Sequence, residues 1–274
     1  MVTFVHTKVT RRPGAGPRGL GKEGVVQVGQ TIVVVSGKGG TGKTSFTANV
    51  GMALAMLGRP TLCLDCDVGL RNLDIAMVMT DCAMMDFTDV LDGHCTLEDA
   101  AVPHPKQDNL YLLTAPTRIG VSSIDVGAFQ DLFPVINERF EYCLVDAPAG
   151  LGAGFHLAIS GADRAVVVTT TEASSLRDAQ RTAMELNVLP AGCVHMVVNR
   201  CRQKLLKSLH QTIDDAIDST GLPLLGVVPE DETMSLYAGR GTPLLQTDNE
   251  CAARAYRNIA RRIDGQRTPL MKIR

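Results

Sequence analysis

Short apolar runs recur along the chain from residue 31 onward: "TIVVVS", "TLCLD", "NLYLLTA", "EYCLVDA", "RAVVVTT", "CVHMVVN" and "PLLGVVP". They do not alternate with polar residues, as strands with one wet face would. Near-continuous apolarity is what strands buried on both faces require. Between most of them lie stretches with a helical pattern, such as "TSFTANVGMALAML", "AFQDLFPVINERF" and "SSLRDAQRTAMELNVL". Strand and helix in alternation predict an α/β fold, a doubly wound and mostly parallel sheet with helices on both faces. In such sheets ligands bind at the carboxyl ends of the strands. A last helix is expected over 249–263, with Ala252, Tyr256, Ile259 and Ile263 on one buried stripe.

The stretch before the first strand is different. Residues 1–29 hold "RRPGAGPRGLGKEG", and up to Lys22 they carry Lys8, Arg11, Arg12, Arg18 and Lys22 with no acid. This reads as a flexible basic arm, followed by one domain over 30–265 and a short tail over 266–274. The chain of 274 residues is 45% hydrophobic, enough for a sizeable core, and its formal charge of −2 argues against a protein built to coat nucleic acid. No apolar run approaches the ~18 residues that would span a bilayer, and the N-terminus lacks the apolar core of a signal peptide. A cytoplasmic protein is expected. Its eight cysteines are scattered, as small core residues are in a reducing compartment. Cys63 and Cys66 have C-x-x-C spacing, but residues three apart on a strand face opposite ways, so the pair is read as core, not as a metal site.

The chemistry is concentrated at the strand ends. Gly37-Lys38-Gly39-Gly40-Thr41-Gly42-Lys43-Thr44, between a predicted strand and a predicted helix, fits the phosphate-loop pattern G-x-x-x-x-G-K-[ST]. Its glycines let backbone N–H groups turn inward around phosphates, and the helix N-terminus adds partial positive charge. Lys43 is expected to reach the β- and γ-phosphates and Thr44 to ligate Mg²⁺, with Gly39, Gly40, Thr41, Gly42 and Ser45 completing the cradle. Phosphoryl transfer also needs acids near the metal and the attacking water. Asp146 closes "CLVDA", and Asp65 and Asp67 close "TLCLDCD", two apart and expected to point together into the crevice. A phosphate loop needs one lysine, however, and this one has two.

The motif "KGGTGKTS" resembles the deviant Walker A signature of the MinD/ParA ATPases. "GLRNLD", "EASSLRD", "VDAPAGL", "VVNRC" and "VVPEDETM" resemble its MinD branch, over about residues 31–265. The resemblance implies a P-loop NTPase fold, ATP and ADP with Mg²⁺ as cofactors, and slow ATP hydrolysis stimulated by a partner. It implies that Lys38 acts in trans on phosphates bound by a second subunit, so that ATP drives homodimerisation. It further implies that Asp67 orients the attacking water while Asp65 and Asp146 hold the magnesium and its waters. Asn199 would bond the adenine edge, Pro229, Glu230 and Asp231 would border the base, and Asn72 and Asp178 would lie near the dimer interface. Arg71 and Arg177 are expected to serve the surface or the dimer, not the chemistry.

The implied role is a switch in division-site placement, with a septation inhibitor, an ATPase-stimulating protein and an anionic membrane surface as partners, and so reversible peripheral association with the membrane. The chain departs from the family at its end. After Pro269 only Leu270, Met271, Lys272, Ile273 and Arg274 remain, about one turn of an amphipathic helix. The basic arm is the other candidate anchor. It also motivates the alternative of a ParA-like ATPase that positions DNA or another cargo without membrane. An iron–sulfur reductase is disfavoured because "DAPAGLGAGF" has no cysteine after Asp146 and Cys82 and Cys95 lack glycine-rich flanks. A scaffold that binds nucleotide and barely hydrolyses it fits the same residues.

Overall fold

The computed structural model describes residues 29–80, 82–202, 212–231 and 251–271. The expected basic arm, apart from Gly29, lies outside them, as do the last three residues. Eight strands form one sheet: β1 (Gln30–Val35), β2 (Thr61–Asp65), β3 (Val102–Pro103), β4 (Leu110–Leu113), β5 (Tyr142–Asp146), β6 (Arg164–Thr169), β7 (Val194–Cys201) and β8 (Leu224–Pro229). Their order is β3-β4-β2-β5-β1-β6-β7-β8. Every pairing is parallel except that of β3 with β4, an edge strand of two residues that no apolar run announces.

β1 shows why its sequence has no polar alternation. Ile32 and Val34 enter the core on one face of the sheet, and Val33 and Val35 the core on the other. The first core is covered by α1 (Lys43–Met56) and by the last described helix, Cys251–Ile263, with Phe46 meeting Tyr256 edge-on at 6.1 Å. Helix α1 lies so close to the sheet that a Cβ on Gly51 would stand 2.4 Å from the sulfur of Cys63. The opposite core holds Phe129 and Phe133 of α5 (Val126–Arg139) and Phe155 of α6 (Ala153–Ile159). Ala179 of α7 (Ala173–Glu185) joins the same core, and α8 (Ile213–Thr220) packs beyond it on β7. The stripe expected on the last helix, here α9, is buried at all four positions. Cys63 and Cys66 fall in the two different cores, fully buried, as expected of core residues, although Cys66 lies one residue past the end of β2.

Three short helices, α2 (Leu73–Ala76), α3 (Phe87–Leu91) and α4 (Leu97–Ala100), fill the crossover between β2 and β3. The last two begin on capping boxes, from Asp86 and from Thr96. The described part of the expected tail is folded back on the domain. Arg262 Nε donates to the Thr268 carbonyl at 2.9 Å, and Met271 packs against the α9 core. No helix among the described residues is long and apolar enough to cross a membrane.

Candidate phosphate-binding site

The chain leaves β1 at the centre of the sheet, between β5 and β6, and turns through residues 36–42 into α1. Strands added before β6 lie on one side of β1 and later ones on the other. This is the switch point at which open α/β sheets leave a crevice. The loop has support on two sides. Gly37 backs onto α7, where a Cβ would stand 2.6 Å from the Asp178 carbonyl oxygen. Gly42 has a left-handed φ of 92°, and a Cβ there would stand 2.4 Å from Asn199 Nδ2. Both glycines are therefore required by close approach, the second also by backbone conformation.

Lys43 opens α1 and is 8% exposed. Burial lowers its pKa, while Asp146 and then Asp67 pull it back. Asp146, at the end of β5, is pushed up to about 7 by burial, against hydrogen bonds from the Thr44 and Thr47 hydroxyls and the charge of Lys43. Thr47 Oγ1 lies 3.3 Å from Asp146 Oδ1. The sequence reading had no role for this threonine, although it lies one helical turn beyond Lys43 on the face toward the sheet. Register places Asp65 directly beside Asp146 on the neighbouring strand.

Asp65 and Asp67, expected to point together into the crevice, differ in burial and in partners. β2 ends at Asp65, so the strand alternation no longer governs Asp67. Asp65 is fully buried and turned onto its own backbone, accepting from Asp67 N at 2.8 Å and Leu73 N at 3.0 Å. It closes the 66–72 turn, and burial pushes it up to about 6. Asp67 is only half-buried; burial raises its pKa against the pull of Lys43. Arg71 is tied to its surroundings, at 3.3 Å from both Asp74 Oδ2 and the Ala83 carbonyl. Asn72 is exposed at the start of α2.

Asn199 is 3% exposed, and its Nδ2 donates to the Thr41 carbonyl at 2.8 Å. Its observed partner is thus the loop itself; its second amide hydrogen and its oxygen remain for a base edge. Thr41 is also buried, and its hydroxyl has no hydrogen-bond partner among the described residues. Lys38 is disposed unlike Lys43. Its side chain is 42% exposed, and Nζ lies 3.0 Å from Glu172 Oε2 and 3.2 Å from Ser174 Oγ, at the head of α7. A cavity of about 270 Å³ runs from the outer arm of the loop past Thr170 and Glu172 to Arg200, Arg202 and Glu230. The two arginines had no assigned part in the sequence reading.

A family model described as the CobQ/CobB/MinD/ParA nucleotide binding domain matches residues 32–244. The chain belongs to the MinD/ParA family. It is 38% identical over 249 residues to the septum site-determining protein MinD of Bacillus subtilis, covering 89% of this chain and 92% of that one. With the Synechocystis protein of that name the figures are 37% over 243 residues, 88% and 91%. Among solved structures, MinD in the MinC:MinD cell division protein complex of Aquifex aeolicus superposes with a TM-score of 0.82 at 34% identity, covering 89% and 99% of the two chains. MinD of Pyrococcus horikoshii complexed with Mg-ADP gives 0.75 at 30%, covering 86% and 96%.

The residues of this MinD/ParA chain fit such a ligand. The unpartnered Thr41 hydroxyl and the inward-facing Lys43 meet the needs of a bound polyphosphate. Among the described residues no three His, Cys, Asp or Glu side chains group to cage a metal. Mg²⁺ needs no such cage, since it keeps several waters and takes one or two carboxylates together with substrate phosphates. Thr44 and Asp146, with Asp65 beside them, are that kind of donor set.

Proposed function

We propose that the protein is an ATP-driven dimerisation switch of the MinD type, acting in placement of the division septum. The observation that carries this reading is the opposite disposition of two lysines in one loop. Lys43 is buried against Asp146 and serves the phosphates of its own subunit. Lys38 stands at the surface on Glu172 and Ser174, from which it can leave to meet a nucleotide held by a second copy. Two nucleotides facing one another concentrate negative charge, and a lysine exchanged in each direction neutralises it. Thr44 ligates Mg²⁺, Asp146 and Asp65 hold its waters, and Asp67, half-open and facing Lys43, orients the attacking water. Asn199 with Pro229, Glu230 and Asp231 borders the base.

The Aquifex complex pairs MinD with MinC, and the same class of partner, a septation inhibitor, is proposed here together with an ATPase-stimulating protein. Reversible binding to an anionic membrane is part of the same reading, supported by Leu270, 52% exposed at the end of the chain. Sedimentation with ATP and with ADP tests the core of it. An Asp67→Ala chain should bind ATP, hydrolyse it slowly and persist as a dimer. Adding Lys38→Ala should leave ATP bound but return the chain to monomer. A Lys38→Ala protein that still dimerises with ATP would falsify the trans role.

A further inference from the structure

The cavity beside the phosphate loop has no aromatic wall among the described residues. The chain contains no Trp, and among the described residues no Phe, Tyr or His lines the cavity. Among the residues that do line it, a flat partner for a purine comes from another residue type. Strands β7 and β8 stand two and three places from β1. At a strand spacing of ~4.8 Å, their axes lie roughly 10 and 14 Å from that of β1, which leads into the phosphate loop. That is the span of a nucleotide from its phosphates to its base. At this range the cavity is lined by Arg202 and Glu230. Arg202 donates Nε to Glu230 Oε2, and Nη2 to Oε1 at 2.9 Å. Two parallel bonds of this kind lock a guanidinium and a carboxylate into one plane. The arginine side chain is still 62% exposed, so the face of that plane is open.

We propose that the Arg202 guanidinium, held flat by Glu230, is the surface on which the base of the bound nucleotide stacks. Arg202 is then a binding residue and Glu230 its positioning residue. The inference rests on the nucleotide-binding reading of the site. A guanidinium plane accepts any purine face, so discrimination between bases falls to edge contacts such as the free amide groups of Asn199. Replacing Arg202 by Lys would keep the charge and lose the plane. Removing Glu230 makes the site more positive, which by charge alone would tighten an anionic ligand, but it also releases the arginine.

The test is calorimetric titration of the full chain with Mg²⁺ and either ADP or pyrophosphate. Arg202→Ala should weaken ADP by ~5- to 30-fold and leave pyrophosphate within about twofold, which also shows that the loop is intact. Arg202→Lys should be as weak as Arg202→Ala. Glu230→Ala should weaken ADP despite the added positive charge, and the double variant should be no weaker than Arg202→Ala alone. Wild-type affinity in Arg202→Lys, tighter ADP binding in Glu230→Ala, or parallel losses for ADP and pyrophosphate would each overturn the proposal. A wild-type chain that bound pyrophosphate but not ADP would instead remove the nucleotide reading beneath it.

Discussion

Replacing Asn199 by Ala separates two roles that this residue could have. In the structure its amide is a strut between the end of β7 and the phosphate loop, donating to the Thr41 carbonyl at 2.8 Å with the side chain 3% exposed. Loss of the donor forfeits a bond with a net worth of about 1 kcal/mol and leaves a buried carbonyl unpaired, at a cost of about 1–3 kcal/mol where it cannot reach water. The loop lies at the edge of the crevice and can partly relax, so about 2 kcal/mol in all is expected. For a domain of this size that is a fall in melting temperature of roughly 4–8 °C. Asn199→Asp should be worse, because it sets a carboxylate oxygen against the carbonyl that now receives an N–H. If the strut holds the loop in its phosphate-binding shape, Asn199→Ala weakens pyrophosphate and ADP alike, by ~3- to 10-fold for a loop that must be re-ordered on binding. Thermal melts of the ligand-free chain and titrations with both ligands decide it. Unchanged melting and pyrophosphate binding, with a loss confined to ADP, would refute the strut and leave only the adenine contact.

Two further outcomes follow from buried polar groups. Thr41→Val removes a buried hydroxyl that has no partner among the described residues, and should stabilise the ligand-free domain by about 1 kcal/mol while reducing the stabilisation that Mg-ADP adds; urea midpoints with and without ligand check both, and a less stable ligand-free variant would contradict the assignment. His104 accepts from Lys106 N at its Nδ1 and so carries its proton on Nε2, 3.1 Å from the Met77 carbonyl. Burial and then the nearby Lys106 charge lower its pKa from the ordinary 6.5, outweighing the Met77 bond. The neutral ring therefore contributes stability that is present above about pH 6.5 and is lost as pH falls through the lowered folded-state value. His104→Gln should flatten that part of the profile between about pH 5 and 7.5, and an identical slope in both proteins would remove the reading.

What could be read from the sequence, and what could not, follows from the range of the forces involved. The seven long strands were legible because a parallel sheet covered on both faces writes its burial directly as apolar runs. The loop Gly37–Thr44 was legible because its glycines and lysine are contiguous. The edge strand Val102–Pro103 and helices of four or five residues are shorter than any period that could reveal them. The backbone bonds of Asp65 were not legible, because they form in a turn past the strand end, where alternation no longer applies. Arg202 and Glu230 are 28 residues apart and meet only because β7 and β8 are neighbours. The same holds for the supports of the phosphate loop. Gly37 rests on Asp178 of α7, Gly42 on Asn199 of β7, and Lys38 on Glu172 and Ser174 at the head of α7. One helix thus backs the loop through Gly37 and also holds the lysine proposed to act in trans. Departure of Lys38 toward a second subunit would release the head of α7 while its body stays packed against Gly37. Under the proposed trans role, dimerisation would be coupled in this way to the shape of the phosphate cradle, through a helix that the sequence marks only as amphipathic.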